Sequence, residues 1–264
     1  MNVSAVFRGP VHRVAVPVDG QPSPRDRASI GLPDGFVVAS SLDYDNGFVR
    51  QNTLGAVEAY TAAFSPADGH HLVIDTIHAD RHPDEHAQLV GAVEGRPDVA
   101  LRHTDGWSAA ERDRVLASAD CYLSLHRADG GLGAVAKAMS WGTFTVVTAT
   151  TASLEFQTEQ DSGLVRSEAA SIPADEYRYP SGATWVEPDL QHASSLLRSA
   201  VSEAESTAVK VRRARQVAGR RFSRSVGAAA VRARLADIDD RLRPAHRADR
   251  VRPDRVRDHA RGRR

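Results

Sequence analysis

The sequence is short of cysteine, lysine and long apolar runs, and each shortage excludes a class of protein. Cys121 is the only cysteine, which excludes an internal disulfide framework and a zinc site built from cysteines. The longest uncharged stretch, residues 138–154, is rich in threonine and too short for a membrane span. The first fourteen residues contain Arg8 and Arg13 and no continuous apolar segment, unlike a secretory signal. We therefore expect a soluble, cytoplasmic protein.

The charges balance, with 34 basic and 34 acidic residues. No net field therefore favours nucleic acid or an anionic membrane as a partner. All but two of the basic residues are arginine, which we attribute to a GC-rich genome. A single arginine is consequently weak evidence for phosphate binding in this chain, and a lysine is the more unusual choice.

Composition divides the chain into three regions. Residues 1–31 contain an alternating segment with Pro17, typical of an edge strand or an extended connector, and then a polar Pro/Gly/Ser stretch. Residues 32–240 carry the regular patterns of a folded domain. Residues 241–264 contain ten arginines and few large apolar side chains, which predicts a disordered tail. A basic tail can bind nucleic acid or anionic lipid, but we interpret it as solvated and expect no nucleic-acid partner.

Predicted strands and helices alternate from residue 36 to residue 166. Short apolar runs predict strands at residues 36–40, 72–77, 99–103, 121–125, 144–148 and 163–166. Helical spacing or capping residues predict helices at residues 52–64, 83–93, 108–117, 133–139 and 153–160. Because parallel strands need covering crossovers, this order predicts a Rossmann-like, doubly wound parallel sheet. After Pro188 the patterns predict helices alone, at residues 190–203, 207–222 and 226–241.

The loop after the fourth predicted strand, residues 126–133 (HRADGGLG), is a candidate ligand site. Its glycines, Gly130, Gly131 and Gly133, would let a ligand approach the backbone, and the next helix would offer free N–H groups. Asp129 could accept hydrogen bonds from sugar hydroxyls, and Arg127 could bind a phosphate. The alternative is a tight turn with a solvated carboxylate, and spacing alone does not separate the two.

The loop after the first predicted strand, residues 42–52, is a second candidate. Arg50 precedes a helix start, where a phosphate would be stabilised, although an ordinary surface arginine fits equally well. The loop lacks G-x-G-x-x-G, which argues against an NAD(P) dehydrogenase. His82 and His86 are four residues apart, but Pro83 stands where a metalloprotease motif has glutamate. We interpret these two, with His70, His71 and His78, as surface histidines and expect no metal.

Residues 120–142 (DCYLSLHRADGGLGAVAKAMSWG) and the following FTVVTATTASLEF resemble the donor-binding half of retaining glycosyltransferases of family 4. These enzymes have the GT-B architecture of two Rossmann-like domains. The resemblance extends to residues 31–64 and 179–190, and several motifs agree in order from about residue 11 to residue 242. It implies one half of a GT-B fold followed by C-terminal helices.

The resemblance also implies transfer of a sugar from a nucleotide-sugar, with retention of configuration and without a metal or cofactor. The family's two glutamates fall on Asp129 and Lys137. Asp129 keeps the charge that contacts the donor sugar and is the candidate catalytic residue. Lys137 has no acceptor and cannot replace the contact with ribose hydroxyls. The family's phosphate-binding Arg-Lys pair falls on Arg50 and Gln51, which keeps one cation of two, and residues 104–106 would hold the base.

The family's N-terminal, acceptor-binding domain has no counterpart in these residues. We therefore expect a donor-binding half that acts with a separate N-terminal half. The alternative is a truncated, catalytically inactive relative that acts as a binding or interaction module.

Overall fold

A computed structural model describes residues 14, 16–18, 25–130, 132–173, 176, 179–180 and 182–248, with side chains described as far as residue 242. The chain forms two compact units. One comprises residues 18–223, and the other comprises residues 1–17 and 224–264. The sheet and the candidate site lie in the first unit.

The first unit contains all the described strands. They are β1 (Val37–Asp43), β2 (His71–Ile77), β3 (Val99–His103), β4 (Cys121–Ser124), β5 (Phe144–Thr148), β6 (Gly163–Val165), β7 (Ser167–Ser171) and β8 (Thr184–Pro188). Its helices are α1 (Phe48–Gln51), α2 (Thr53–Ala63), α3 (Pro83–Ala92), α4 (Ala109–Ser118), α5 (Gly133–Trp141), α6 (Leu190–Ser202) and α7 (Ala204–Arg221). In the second unit the described element is α8 (Arg224–Ala248). Among the described residues no helix is both long and apolar enough to cross a lipid bilayer.

Six strands form one parallel sheet in the order β3-β2-β1-β4-β5-β6. The chain winds outward from β1 on one side and from β4 on the other, which is the doubly wound order. The loops that follow the carboxyl ends of β1 and β4 therefore lead to helices on opposite faces of the sheet. The predicted Rossmann-like sheet followed by helices is confirmed.

Helices cover both faces of the sheet. One face packs on α2, α3 and α6, with a core that includes Val38, Leu72, Tyr60, Leu89 and Leu197. The other face packs on α4, α5 and α7, with a core that includes Val37, Val73, Val115, Met139 and Ala214. Cys121 is fully buried at the start of β4. Strands buried on both faces explain why their sequences are almost continuous apolar runs.

Several elements differ from the sequence prediction. β1 continues to Asp43 through polar residues, past the predicted end at residue 40. The helix predicted at residues 153–160 is wrong: the backbone makes one 3-10 turn, Ser153–Glu155, before a turn in which Thr158 N donates to Asp161 Oδ1 over 2.9 Å. The antiparallel hairpin of β7 and β8 was not predicted, since most of its strand residues are at least partly exposed and half of them are polar.

The two ends of the chain also differ from expectation. The predicted edge strand at residues 11–18 lies partly outside the described residues, and Val14 and residues 16–18 are not in a strand. Helix α8 continues to Ala248, so residues 241–248 of the predicted disordered tail are helical. Residues 249–264 lie outside the described part of the chain.

Helix α4 begins with the capping box that the sequence predicts. Ser108 N donates to Glu111 Oε2 over 2.7 Å, and Glu111 N donates to Ser108 Oγ over 3.3 Å. We expect Ser108→Ala to lower the free energy of unfolding by about 1 kcal/mol, because an unpaired N–H is left at the helix start. Denaturant unfolding measures this. Ser195→Ala, at an exposed position within α6, is the control and should change stability by less than about 0.5 kcal/mol; an equal effect of both variants would contradict the capping role.

Candidate functional site

A cavity of about 390 Å³ opens at the carboxyl ends of β1 and β4, where the strand order reverses and ligands of doubly wound sheets bind. Residues of α4, α5 and the loop after β4 complete its walls. Its polar side chains include Ser41, Gln51, Asp75, Asp113, Tyr122, His126, Asp129 and Lys137. The sequence-predicted Gln51, Asp129, Gly133 and Lys137 therefore share one cavity.

The loops that follow β1 and β4 are joined by hydrogen bonds from side chains to main-chain carbonyls. Arg50 Nε donates to Asn46 O over 2.8 Å, and its Nη1 donates to Ala128 O over 2.6 Å. Asn52 Nδ2, buried at the junction of α1 and α2, donates to Leu125 O over 3.0 Å. These contacts hold the two loops together at the mouth of the cavity.

Arg127 joins the loop after β4 to the hairpin. Its guanidinium makes a two-point contact with the Glu187 carboxylate, at 2.6 and 2.8 Å, and lies 5.4 Å from the centre of the Trp185 ring. Its Nη1 also donates to Val49 O over 2.6 Å. The structure thus gives Arg127 partners within the protein, and phosphate binding by Arg127 would require this pairing to open.

The Gly-rich loop carries its backbone strain at a leucine. Leu132, the residue before α5, has a φ of 41°, in the left-handed region that disfavours side chains. A Cβ added at Gly130 or Gly133 would meet no atom within 4 Å, so open space surrounds both positions. Gly131 lies outside the described residues. The glycines therefore leave room beside the loop, and the tight turn itself occurs at Leu132.

Lys137 is paired with an acidic residue on the neighbouring helix. Its Nζ lies 2.7 and 3.0 Å from the two carboxylate oxygens of Asp113, and 5.8 Å from the centre of the Trp141 ring. Both members of the ion pair line the cavity. A carboxylate is thus present on this wall, supplied by α4 and not by α5.

The side-chain amide of Gln51 forms hydrogen bonds with the backbone of β1. Its Nε2 donates to Asp43 O over 2.5 Å, and its Oε1 accepts from Asp43 N over 3.3 Å. This pairing closes the turn between β1 and α1. The side chain stabilises the loop that frames the cavity.

His126 is a cavity residue that the sequence analysis did not single out. Its imidazole is 1% exposed, and its Nδ1 lies 3.0 Å from Ser124 Oγ. Burial lowers the pKa of His126 to about 4, so the ring is neutral at neutral pH. The sequence alone does not indicate that His126 is buried, because its burial depends on packing between distant segments.

The floor of the cavity holds further buried polar groups. Tyr122 Oη and Ser41 Oγ lie 2.8 Å apart. Asp75 accepts from Arg102 Nε over 2.8 Å. Burial raises the pKa of the Asp75 carboxyl, against the opposing effect of the Arg102 charge, and raises the pKa of Tyr122 to about 12. These groups give the cavity both donors and acceptors in a shielded environment.

Acidic and histidine side chains meet beside the cavity mouth. Ligand atoms of Asp43, Asp45 and His78 lie within 4.8 Å of one another, a grouping that could hold a metal ion. His82 Nε2 lies 3.0 Å from Asp45 Oδ1, and Arg81 Nη1 lies 2.6 Å from Asp45 Oδ2. The spacing of the histidines in sequence does not predict this grouping, because Asp43 and His78 come from different strand ends.

No protein-family model matches the chain, and no curated protein matches it in sequence. Solved structures do match its fold. Anabaena HepE, solved with UDP and glucose, aligns with a TM-score of 0.59 and 15% identity over 80% of this chain and 51% of that protein. Sucrose-phosphate synthase from Thermosynechococcus elongatus aligns with a TM-score of 0.59 and 16% identity over 85% of this chain and 50% of that protein.

A third match concerns an isolated domain. The C-terminal domain of the group 1 glycosyltransferase LpcC from Francisella tularensis aligns with a TM-score of 0.53 and 11% identity, over 80% of this chain and 97% of that domain. The chain thus spans about half the length of the larger proteins that it matches. At these identities the likeness shows the fold alone, and that fold is similar to domains of GT-B glycosyltransferases.

Asn52 offers a direct test of the link between the two loops. It has a φ of 55°, and a Cβ at Gly55 would lie 2.6 Å from its Nδ2. We expect Asn52→Ala to lower the free energy of unfolding by about 2 kcal/mol, because the Leu125 carbonyl loses its donor and the left-handed backbone stays occupied by a residue with a Cβ. Asn52→Gly removes the same hydrogen bond without the backbone penalty and should lose about 1 kcal/mol less. Denaturant unfolding measures both, and a larger loss for the glycine variant would refute this account.

Proposed function

We propose that this chain binds a nucleotide-sugar and acts as the donor-binding half of a retaining glycosyltransferase. The observation that carries the proposal is the cavity at the carboxyl ends of β1 and β4, which Asp129, His126 and the first residue of α5, Gly133, line together. The fold likeness supports it, since the matching structures of HepE contain UDP with glucose in one case and UDP-glucose in another.

The diphosphate of the donor would lie at the start of α5. Gly133 and Ala134 line the cavity there, and the first N–H groups of a helix have no partner within the helix and favour anions. The Arg50 guanidinium adds positive charge behind the loop, bonded to Ala128 O. Together these groups would stabilise the charge that develops on the departing diphosphate.

The rest of the donor would follow the cavity walls. The Asp129 carboxylate accepts hydrogen bonds from hydroxyls of the transferred sugar. Asp113 provides an acceptor for the ribose hydroxyls where Lys137 has only donors, and the backbone near Thr104 on the far wall would hold the base. In this role Asp129 is the proposed catalytic residue, because it touches the reacting sugar.

In the transfer step the bond between the anomeric carbon and the diphosphate oxygen breaks, and a bond to the acceptor oxygen forms on the same face. The acceptor proton passes to the departing diphosphate. We propose that a separate N-terminal half supplies the acceptor site, since a closed cleft orients the acceptor and excludes water. The anomeric proton coupling of the product, measured by NMR, tests retention.

Donor binding is tested by calorimetric titration of the purified chain with UDP, GDP, UDP-glucose and GDP-mannose. We expect Asp129→Asn to weaken binding of the nucleotide-sugar roughly tenfold, because hydrogen bonds to a charged acceptor are lost. The free nucleotide should bind as well or better, since a negative charge near the diphosphate is removed. Asp34→Asn, at an exposed site, is the control. Absence of heat with every ligand at millimolar concentration would contradict donor binding.

Gly133 provides a second test. We expect Gly133→Ala to keep or raise stability, because alanine is favoured over glycine in a helix and a Cβ there meets no atom within 4 Å. The same methyl group would occupy space beside the α5 N-terminus and should weaken UDP binding at least roughly tenfold. Thermal unfolding and calorimetry give the two quantities. Unchanged UDP affinity would place the diphosphate elsewhere.

The alternative function is a catalytically inactive binding module, favoured by Lys137 and by the pairing of Gln51 with the β1 backbone. Lys137→Glu alone would place a carboxylate against Asp113, which now lies 2.7 Å from Lys137 Nζ. We therefore expect Lys137→Glu/Asp113→Lys/Gln51→Lys, which restores the family's charges and keeps an ion pair, to bind UDP if loss of binding in the natural chain is recent. The Lys137→Glu/Asp113→Lys variant, which keeps the ion pair and the natural Gln51, is the control. No UDP binding by any of these proteins would favour a cavity with a different role.

A further inference from the structure

His126 lines the cavity and contains a buried polar atom that lacks a hydrogen-bond partner among the described residues. Its Nδ1 lies 3.0 Å from Ser124 Oγ, whereas its Nε2 has no hydrogen-bond partner among the described residues. The imidazole is 1% exposed and lines the cavity. A buried polar atom without a partner is costly, so its retention beside a cavity indicates that a bound molecule completes its bonding.

Two charged groups act on the ring. The Asp129 carboxylate, on the same loop, stabilises its protonated form, and the Arg50 guanidinium opposes protonation. Burial outweighs both and keeps the imidazole neutral. One ring nitrogen therefore carries a proton and the other a lone pair, and Ser124 Oγ can either donate to Nδ1 or accept from it.

The chemistry of this wall favours a hydroxyl group over a phosphate. A hydroxyl both donates and accepts, so it satisfies Nε2 in either tautomer, whereas a phosphate needs an N–H donor there. The Asp129 carboxylate would also repel a phosphate placed against it, but it accepts a hydrogen bond from a hydroxyl. His126 Nε2 and the Asp129 carboxylate can both accept hydrogen bonds, and this pair of acceptors matches a ligand with several hydroxyl groups.

We propose that His126 Nε2 forms a hydrogen bond with a hydroxyl of the donor's transferred sugar and so contributes to the choice of sugar. This inference rests on the proposed function. It assigns His126 to the sugar and not to the ribose or the diphosphate, which are present in the free nucleotide as well. Free UDP and UDP-glucose therefore separate the possibilities.

The experiment compares UDP and UDP-glucose binding to the natural chain, His126→Phe and His126→Gln by calorimetry. Phenylalanine keeps the planar ring without a polar atom, and glutamine carries an amide near the position of Nε2. We expect His126→Phe to weaken UDP-glucose binding roughly five- to tenfold and to leave UDP binding unchanged. His126→Gln should recover most of the loss. If GDP-mannose is the donor that binds, the GDP pair replaces the UDP pair.

A second measurement does not depend on a folded phenylalanine variant. Long-range ¹H–¹⁵N spectra report the hydrogen bonding of imidazole nitrogens, and the His126→Gln spectrum identifies the His126 signals by their absence. We expect UDP-glucose to shift the Nε2 signal of His126 in the natural chain, and UDP to leave it in place.

The outcomes separate this inference from the function on which it rests. Equal weakening of UDP and UDP-glucose by His126→Phe would place His126 at the ribose or the diphosphate and overturn the inference. If neither affinity changes and the Nε2 signal does not shift, water alone supplies the hydrogen bond to His126 Nε2. That result would also overturn the inference. If the natural chain binds neither nucleotide nor nucleotide-sugar, the proposed function fails first.

Discussion

The geometry of the cavity depends on side chains of one loop that bond main-chain carbonyls of another. Arg50 and Asn52 follow β1, while the carbonyls of Ala128 and Leu125 that accept from them follow β4. β1 and β4 are neighbours in the sheet, yet their chains leave toward opposite faces. Arg127 adds two further bonds between the same loops: its main-chain N donates to Arg50 O over 2.8 Å, and its Nη1 donates to Val49 O over 2.6 Å. Arg50 therefore positions the loop mechanically as well as adding positive charge behind it.

The fold was largely predictable because buried parallel strands leave a strong pattern. Five of the six sheet strands both begin and end within one residue of the prediction, since an apolar run that packs on both faces stops where the chain reaches solvent. The β7–β8 hairpin carries little of this signal, because most of its strand residues are at least partly exposed and half of them are polar. The helix predicted at residues 153–160 is one 3-10 turn, Ser153–Glu155, and a separate turn closed by the Thr158–Asp161 contact follows it.

The candidate site was less predictable, because its distinguishing features arise between segments far apart in sequence. Asp129 and Lys137 of the motif line one cavity, but the motif could not show that Lys137 pairs with Asp113, 24 residues earlier. Nor could it show that Arg127 pairs with Glu187 on a hairpin 60 residues later. The bonding state of His126 is likewise a product of packing. Sequence patterns locate the loop, and the tertiary structure determines which charged side chains near it already form ion pairs within the protein.

Cys121 is poorly reactive toward thiol-labelling reagents. The thiol is fully buried at the start of β4, and burial raises its pKa, so the reactive thiolate is strongly disfavoured. No other cysteine occurs in the chain. A cysteine introduced at an exposed position, such as Val49 near the cavity mouth, would therefore react alone with a maleimide dye. Fluorescence from that single label could follow movement of the loop in an otherwise unaltered protein.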